Sequence, residues 1–172
     1  MSGTRVLLLG MMGAGKTSVG EALAAKTGWA YRDNDSLVAE ISGVPTADLL
    51  ERDGVDGLRD AESAALRRAE TDPGPLVAGV AGGVVERPDD VELLRSTDAL
   101  VVYLQAPVEV LVERVGDGAG RPFLQPDPET ALRRLFDGRE PLYREVADLV
   151  VDTTSGSAED HAEQVLAATR TA

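Results

Sequence analysis

Gly10 is separated from Gly15-Lys16-Thr17 by Met11-Met12-Gly13-Ala14, the spacing of the phosphate-binding pattern GxxxxGK[ST]. The chemistry accounts for the spacing. Glycines let the backbone wrap an anion with its amides facing inward. A helix starting near Lys16 points its N-terminus at the same place. In that geometry the Lys16 ammonium reaches the outer phosphates and the Thr17 hydroxyl binds magnesium. Gly13, Ala14, Gly15, Lys16, Thr17 and Ser18 are thus the candidates for holding a nucleotide. A plain flexible loop after a core strand is the competing reading. The order of strand, eight-residue pattern and helix former favours the phosphate site. The dinucleotide pattern GxGxxG is absent, so a nucleoside triphosphate fits better than NAD.

Asp33 and Asp35 follow the second apolar run. In extended backbone alternate residues point the same way, so both carboxylates are expected to face the site opened by Lys16. One would hold the magnesium shell, and the other would hold or deprotonate an acceptor hydroxyl. A solvated turn is the alternative, since Asp and Asn favour turns; the phosphate loop upstream weighs against it. Arg59, Arg121 and Arg139 stand out by their surroundings: a helix after a glycine break, a glycine-rich loop and a proline-bearing turn. Arginine grips a carboxylate with two parallel hydrogen bonds, and a transferring phosphoryl group needs positive charge on its outer oxygens. Arg114 suits either a base ring or a surface helix position. Trp29 and Tyr103 read as core residues, and His161 as surface or edge packing.

Elements that alternate between strand and helix must position these groups. Apolar runs predict strands at 6–9, 29–32, 76–80, 99–104 and 149–151. Helices are expected from Thr17 to Thr27, around Leu37 to Ile41, from Pro45 to the Asp53-Gly54 break, and from about Val55 to Glu70. Others are expected from Pro88 to Ser96, after Pro107, from Asp127 to Asp137 or Gly138, and after a Ser157 cap with Asp160 three residues on. The stretch Gly116 to Gln125, with three glycines around Arg121, predicts a mobile lid. Strand–helix alternation gives a mostly parallel sheet with helices on both faces, and ligands bind at its carboxyl edge.

The 172 residues suit one domain, 1–172, with a hydrophobic share of 43%. Acids outnumber bases 30 to 17, for a formal charge of −13, which disfavours non-specific nucleic-acid binding. There is no cysteine and one histidine, which excludes disulfides, thiolate catalysis and histidine-rich metal sites. No signal-peptide pattern or bilayer-length apolar run is seen, so no membrane partner and a cytoplasmic location are expected.

Taken in order, the motifs resemble those of the shikimate kinase family, across nearly the full chain. GMMGAGKTSVG resembles its phosphate loop, Asp33-Asn34-Asp35 its DxD, Gly82-Gly83 the last two glycines of its GGG, Arg121-Pro122 its lid, and Arg139-Glu140-Pro141-Leu142-Tyr143 its RxPLY. Arg59 stands where the family grips the shikimate carboxylate. The resemblance implies an α/β three-layer P-loop kinase fold, with a five-stranded parallel sheet in 2-3-1-4-5 order. It implies ATP as donor and Mg2+ held by Thr17 and, through water, Asp33. Asp35, Arg59, Gly82 and Arg139 would bind the acceptor acid, within a region spanning about 33–62. Asp35 would lie at the reactive hydroxyl, Arg121 would close over the transferring phosphate, and Arg114 and Thr154 would lie near adenine. A monomer acting on a small carboxylate, shikimate, is implied. Ala81 departs from the first glycine of GGG, and the turn Asp152 to Gly156 lacks the residues often set against adenine. A gluconate or other sugar-acid kinase and a noncatalytic nucleotide switch are the alternatives.

Overall fold

The apolar run predicted near the start becomes the central strand. The structure, a computed structural model, describes residues 4–170. Strand β1 (Arg5–Leu9) buries Val6 to Leu9 completely, because it has a neighbour on each side and helices above and below. It pairs in parallel with β3 (Leu76–Gly79) and β4 (Leu100–Gln105). The short β2 (Ala30–Arg32) adds to β3, and β5 (Leu149–Asp152) adds to β4. The order is β2-β3-β1-β4-β5, as the resemblance implies. Every pairing is parallel, so every connection is a crossover, and the helices of those crossovers flank the sheet.

Helix α1 (Lys16–Thr27) starts directly from the phosphate loop and packs on the last helix, α7 (Ala158–Thr169). Ser157 caps α7 in the expected capping box with Asp160. His161 is buried, with its Nε2 2.9 Å from the Ser155 carbonyl oxygen, which ties the turn before α7 to the helix. Helix α2 (Asn34–Ser42) lies against α3 (Thr46–Thr71). The break expected at Asp53-Gly54 is a kink inside α3, where Gly54 alone leaves the helical conformation.

After β3 a 3-10 turn spans Gly82–Glu86 and leads into α4 (Pro88–Ser96). One expectation at the carboxyl edge is corrected. The helix expected to end at Asp137 or Gly138 continues. After α5 (Val108–Val115) and a 3-10 turn at Pro122–Leu124, α6 runs from Pro128 to Val146 with Pro141 inside it. Gly138 and Pro141 are poor helix residues, and Pro141 forfeits one backbone bond. Leu132, Arg139, Tyr143 and Val146 are all buried on one side, and that packing outweighs local propensity.

Candidate active site

Between Leu9 and Lys16 the chain must turn sharply beside β4. Gly10 has φ 146°, and a Cβ there would lie 2.6 Å from the Leu104 carbonyl oxygen, so only glycine fits. The loop folds back until the Lys16 Nζ donates to the carbonyl oxygens of Gly10 at 2.7 Å and Met11 at 3.1 Å. Burial lowers the Lys16 pKa to about 8; Arg139 and Arg121 also lower it, while Asp33 and Asp35 oppose them. One corner of the expected phosphate cradle is absent: the Ala14 amide donates to the Met11 carbonyl at 3.1 Å, and Ala14 is buried beneath the loop.

Asp33 and Asp35 do reach one cleft, but not by strand alternation. Asp33 is the N-cap of α2, its carboxylate accepting from the Asp35 amide at 3.0 Å. Asp35 belongs to the first helical turn, where its Oδ1 accepts from Thr46 Oγ1 at 3.2 Å. The Tyr31 hydroxyl donates to Asp33 Oδ1 at 3.4 Å and is also hydrogen-bonded to Thr17. Tyr31 thereby links the acid to the phosphate loop. Burial, with the negative charge of Asp33, pushes the Tyr31 phenol up to about 12.

Across the cleft two guanidinium groups converge. Arg139 is only 4% exposed, on the inner face of α6. Its Nε and Nη2 each donate to the Glu86 carboxylate at 3.0 Å. Arg59, on α3, donates from Nη1 to Glu62 Oε2 at 2.6 Å and has its Nη2 3.6 Å from Glu86 Oε2. The Glu62 carboxyl is pushed up by burial, against the opposing pull of Arg59 and Arg139. Gly83 makes this approach possible: a Cβ there would lie 2.1 Å from Arg59 Nη1. Tyr143, one helical turn beyond Arg139, donates to the Gly82 carbonyl at 2.7 Å and so fixes the 3-10 turn under both arginines. Ala81 has φ −59° and ψ 135°, an ordinary conformation for any residue, so its departure from glycine costs the backbone nothing.

The glycine-rich stretch 116–125 reaches the same place. Arg121 lines the cleft, and the Phe123 ring centre lies 5.4 Å from the Arg59 guanidinium carbon. Arg114 is a brace. It donates to the Gly13 carbonyl at 3.2 Å, to Thr153 at 2.5 Å and to Thr154 at 3.4 Å, which ties the phosphate loop to the turn after β5. Thr153 completes that tie by donating from Oγ1 to the Ala14 carbonyl at 2.9 Å.

The expected residues thus meet in one cleft of about 870 Å³, with two exceptions. Ala14 lies beneath it, and Thr154 sits beyond Arg114, hydrogen-bonded to Asp152. Glu62, Glu86 and Phe123 were not foreseen, and Tyr143 was named only as the end of the Arg139–Tyr143 motif, without a role. Of the first three, Glu62 alone had a local signal, its i,i+3 spacing from Arg59 on a helix. For a hard divalent cation the donors fit. Thr17 and Asp33 offer oxygens and are joined through Tyr31, and magnesium would draw its other ligands from water and phosphates. Among the described residues no cluster of three acids or histidines could hold a metal without such help.

A phosphate loop at the carboxyl edge of a parallel sheet, sharing one cleft with an acid pair, two arginines and a glycine-rich stretch that carries Arg121, defines an ATP-dependent small-molecule kinase. The sequence pattern of the family described as "Shikimate kinase" matches residues 12–170. A shikimate kinase of Marinomonas sp. (strain MWYL1) is 39% identical over 163 residues, covering 94% of this chain and 89% of its own. The structure of shikimate kinase from Acinetobacter baumannii in complex with shikimate aligns with a TM-score of 0.90 at 34% identity, covering 99% of this chain and 94% of that one. A gluconokinase from Sinorhizobium meliloti, at 22% identity, TM-score 0.65, and coverage of 99% and 93%, shares the fold alone. The chain belongs to the shikimate kinase family.

Proposed function

We propose that this protein transfers the γ-phosphoryl group of ATP to the 3-hydroxyl of shikimate, giving shikimate 3-phosphate and ADP, on the route to chorismate and the aromatic amino acids. The observation that carries the reading is the convergence of Arg59 and Arg139 on Glu86 in the cleft that Asp35 also lines. A ring acid with several hydroxyls needs fixed positive charge for its carboxylate and an acceptor for its reactive hydroxyl. Asp35, Arg59, Gly82 and Arg139 would hold that acid, with Asp35 taking the proton of the attacking hydroxyl. Lys16 and Arg121 would hold the transferring group. Thr17 and Asp33, the latter through water, would hold magnesium, which when bound offsets the charge of the phosphate oxygens. Arg114 supports the nucleotide side by bracing the phosphate loop, and Thr154 lies at the adenine end. A cytoplasmic monomer of one domain fits this reading.

The test is a panel of acceptors: shikimate, quinate, gluconate and the common nucleoside monophosphates. Shikimate is expected to be phosphorylated fastest. Faster turnover of gluconate or of a nucleoside monophosphate would overturn the acceptor assignment, and ADP release indifferent to every acceptor would overturn the kinase itself. Methyl shikimate, which lacks the negative charge, is expected to be a poor acceptor.

A pH dependence follows from Lys16. Its pKa in the free protein is lowered from 10.5 to about 8, and bound phosphates favour the ammonium and raise it again. Below pH 8 the lysine is already charged, so this group leaves affinity unchanged with pH. As pH rises above about 8, ATP must bring a proton with it, and ATP affinity falls. Calorimetry at pH 9 in buffers of different ionisation enthalpy is expected to show proton uptake on ATP binding, lost in Lys16→Met. Proton release, or none, would remove Lys16 from the phosphate site.

The lid proposal, residues 116–125, is tested by amide exchange. Three glycines lower the cost of moving this stretch, and Arg121 gives it a positive charge to close over an anion. Protection in 116–125 is expected to rise when an ATP analogue and shikimate bind together. Unchanged protection would count against a lid.

A further inference from the structure

Arg139 is nearly enclosed, and the side of it best suited to grip a carboxylate is already taken. A guanidinium has five N–H donors, and its Nε–Nη2 side forms the parallel pair that matches a carboxylate. Glu86 occupies that side with both oxygens at 3.0 Å. What remains towards the cleft is the Nη1 end, close to Gly82 and shared with the Tyr143 hydroxyl, to which Arg139 is also hydrogen-bonded. Arg59 is in the same condition: Nη1 serves Glu62, and Nη2 is 3.6 Å from Glu86. Two positive and two negative side chains therefore balance where an incoming acid is to bind. Glu86 itself is outside the cleft lining, behind the arginines at the end of the 3-10 turn, with its side chain 40% exposed.

We propose that Glu86 is a specificity-determining residue: a built-in counter-charge that lowers the affinity of the arginine pair for an acid. This rests on the reading that Arg59 and Arg139 hold the acceptor's carboxylate. Glu86 touches neither substrate. It acts on the acid through the guanidinium of Arg139, by using two of its donors and offsetting its charge. A carboxylate on the far side of that guanidinium repels a second one on the near side, in surroundings where water screens only partly. Glu86 is partly in water, and Gln keeps an oxygen that can accept from the enclosed Arg139 guanidinium, so the cation is not left without a partner; a melting curve beside the kinetics checks that the fold holds.

The test is Glu86→Gln in the full chain, with Glu86→Asp beside it. For Glu86→Gln the KM for shikimate is expected to fall about tenfold, since one like charge near the carboxylate is gone. The KM for ATP and kcat are expected to stay within about twofold, because Glu86 pairs with Arg139 and Arg59 and not with Lys16, Thr17, Asp35 or Arg121. Glu86→Asp keeps the charge and is expected to keep the KM of the natural protein. Methyl shikimate, having no charge to repel, is expected to show the same KM with Glu86→Gln as with the natural protein. An unchanged or raised KM for shikimate in Glu86→Gln overturns the proposal. An equal shift for shikimate and its ester also overturns it, since that would make Glu86 a shaper of the pocket. These results leave the kinase reading standing as long as the natural protein phosphorylates shikimate. If the natural protein phosphorylates no acid, the kinase reading fails first, and the proposal with it.

Discussion

Lys16→Ala is expected to lower kcat by at least about a hundredfold to a thousandfold, the loss seen when one fixed charge or donor is taken from a developing anion. The structure explains why the fold should survive. Lys16 is the first residue of α1, where alanine is a better helix former. Its ammonium is partly stripped of water, as the lowered pKa records, so removing it relieves a cost of folding. The sign is definite. Between about pH 8 and 10.5 the unfolded chain holds a proton on Lys16 that the folded chain sheds. Below that window the lysine therefore destabilises the native state, and alanine does not. The two carbonyls it bonds, on the buried Gly10 and Met11, lose a hydrogen bond, which offsets part of that gain. ADP release measured beside a melting curve checks both halves. Near-normal turnover in a folded Lys16→Ala protein would remove the phosphate loop from the reaction.

Gly83→Ala is expected to be the most damaging small change on the acceptor side. The added Cβ would lie 2.1 Å from Arg59 Nη1 and 2.4 Å from its Cζ, inside any allowed contact. What yields is the far end of a long side chain, so Arg59 swings away and the backbone stays. The guanidinium then leaves Glu62 and the cleft together. Loss of one charge-assisted contact to the acceptor's carboxylate is worth roughly 2 kcal/mol, or about thirtyfold in KM for the acid. The KM for ATP is expected to change little. A KM for shikimate within about twofold of the natural value, in a protein that melts normally, would mean that Arg59 does not hold the acid.

Much of this site was legible because its signals are local. The phosphate loop is a contiguous pattern, and β1, β3 and β4 are apolar runs of a length that only buried strands require. Asp33 and Asp35 were placed in the right cleft for the wrong reason. The sequence Asp-Asn-Asp reads as well as the end of a strand as it does as the cap of a helix, and the cap wins because Asp33 can hold the Asp35 amide. Two things had no local signal. The unbroken α6 depends on a buried face that outweighs Gly138 and Pro141, and burial is a property of the assembled sheet. The Glu86 contact joins residues 53 apart in sequence through a 3-10 turn that no periodicity announces.

The continuity of α6 also fixes where this protein can gain or lose residues. From Pro128 at the edge of the lid to Arg139 in the pocket the chain is one helix, a rod of roughly 17 Å at 1.5 Å per residue. One residue inserted into that rod would turn everything on one side of it by about 100° relative to the other. Either Arg139 and Tyr143 would leave Gly82, or the lid would be carried round to the wrong side of the cleft. Insertions before the Asp127 cap only lengthen a loop and leave the rod in phase. The stretch before Asp127 can thus change in length without moving Arg139, while the helix behind it acts as a ruler that an inserted residue would put out of phase.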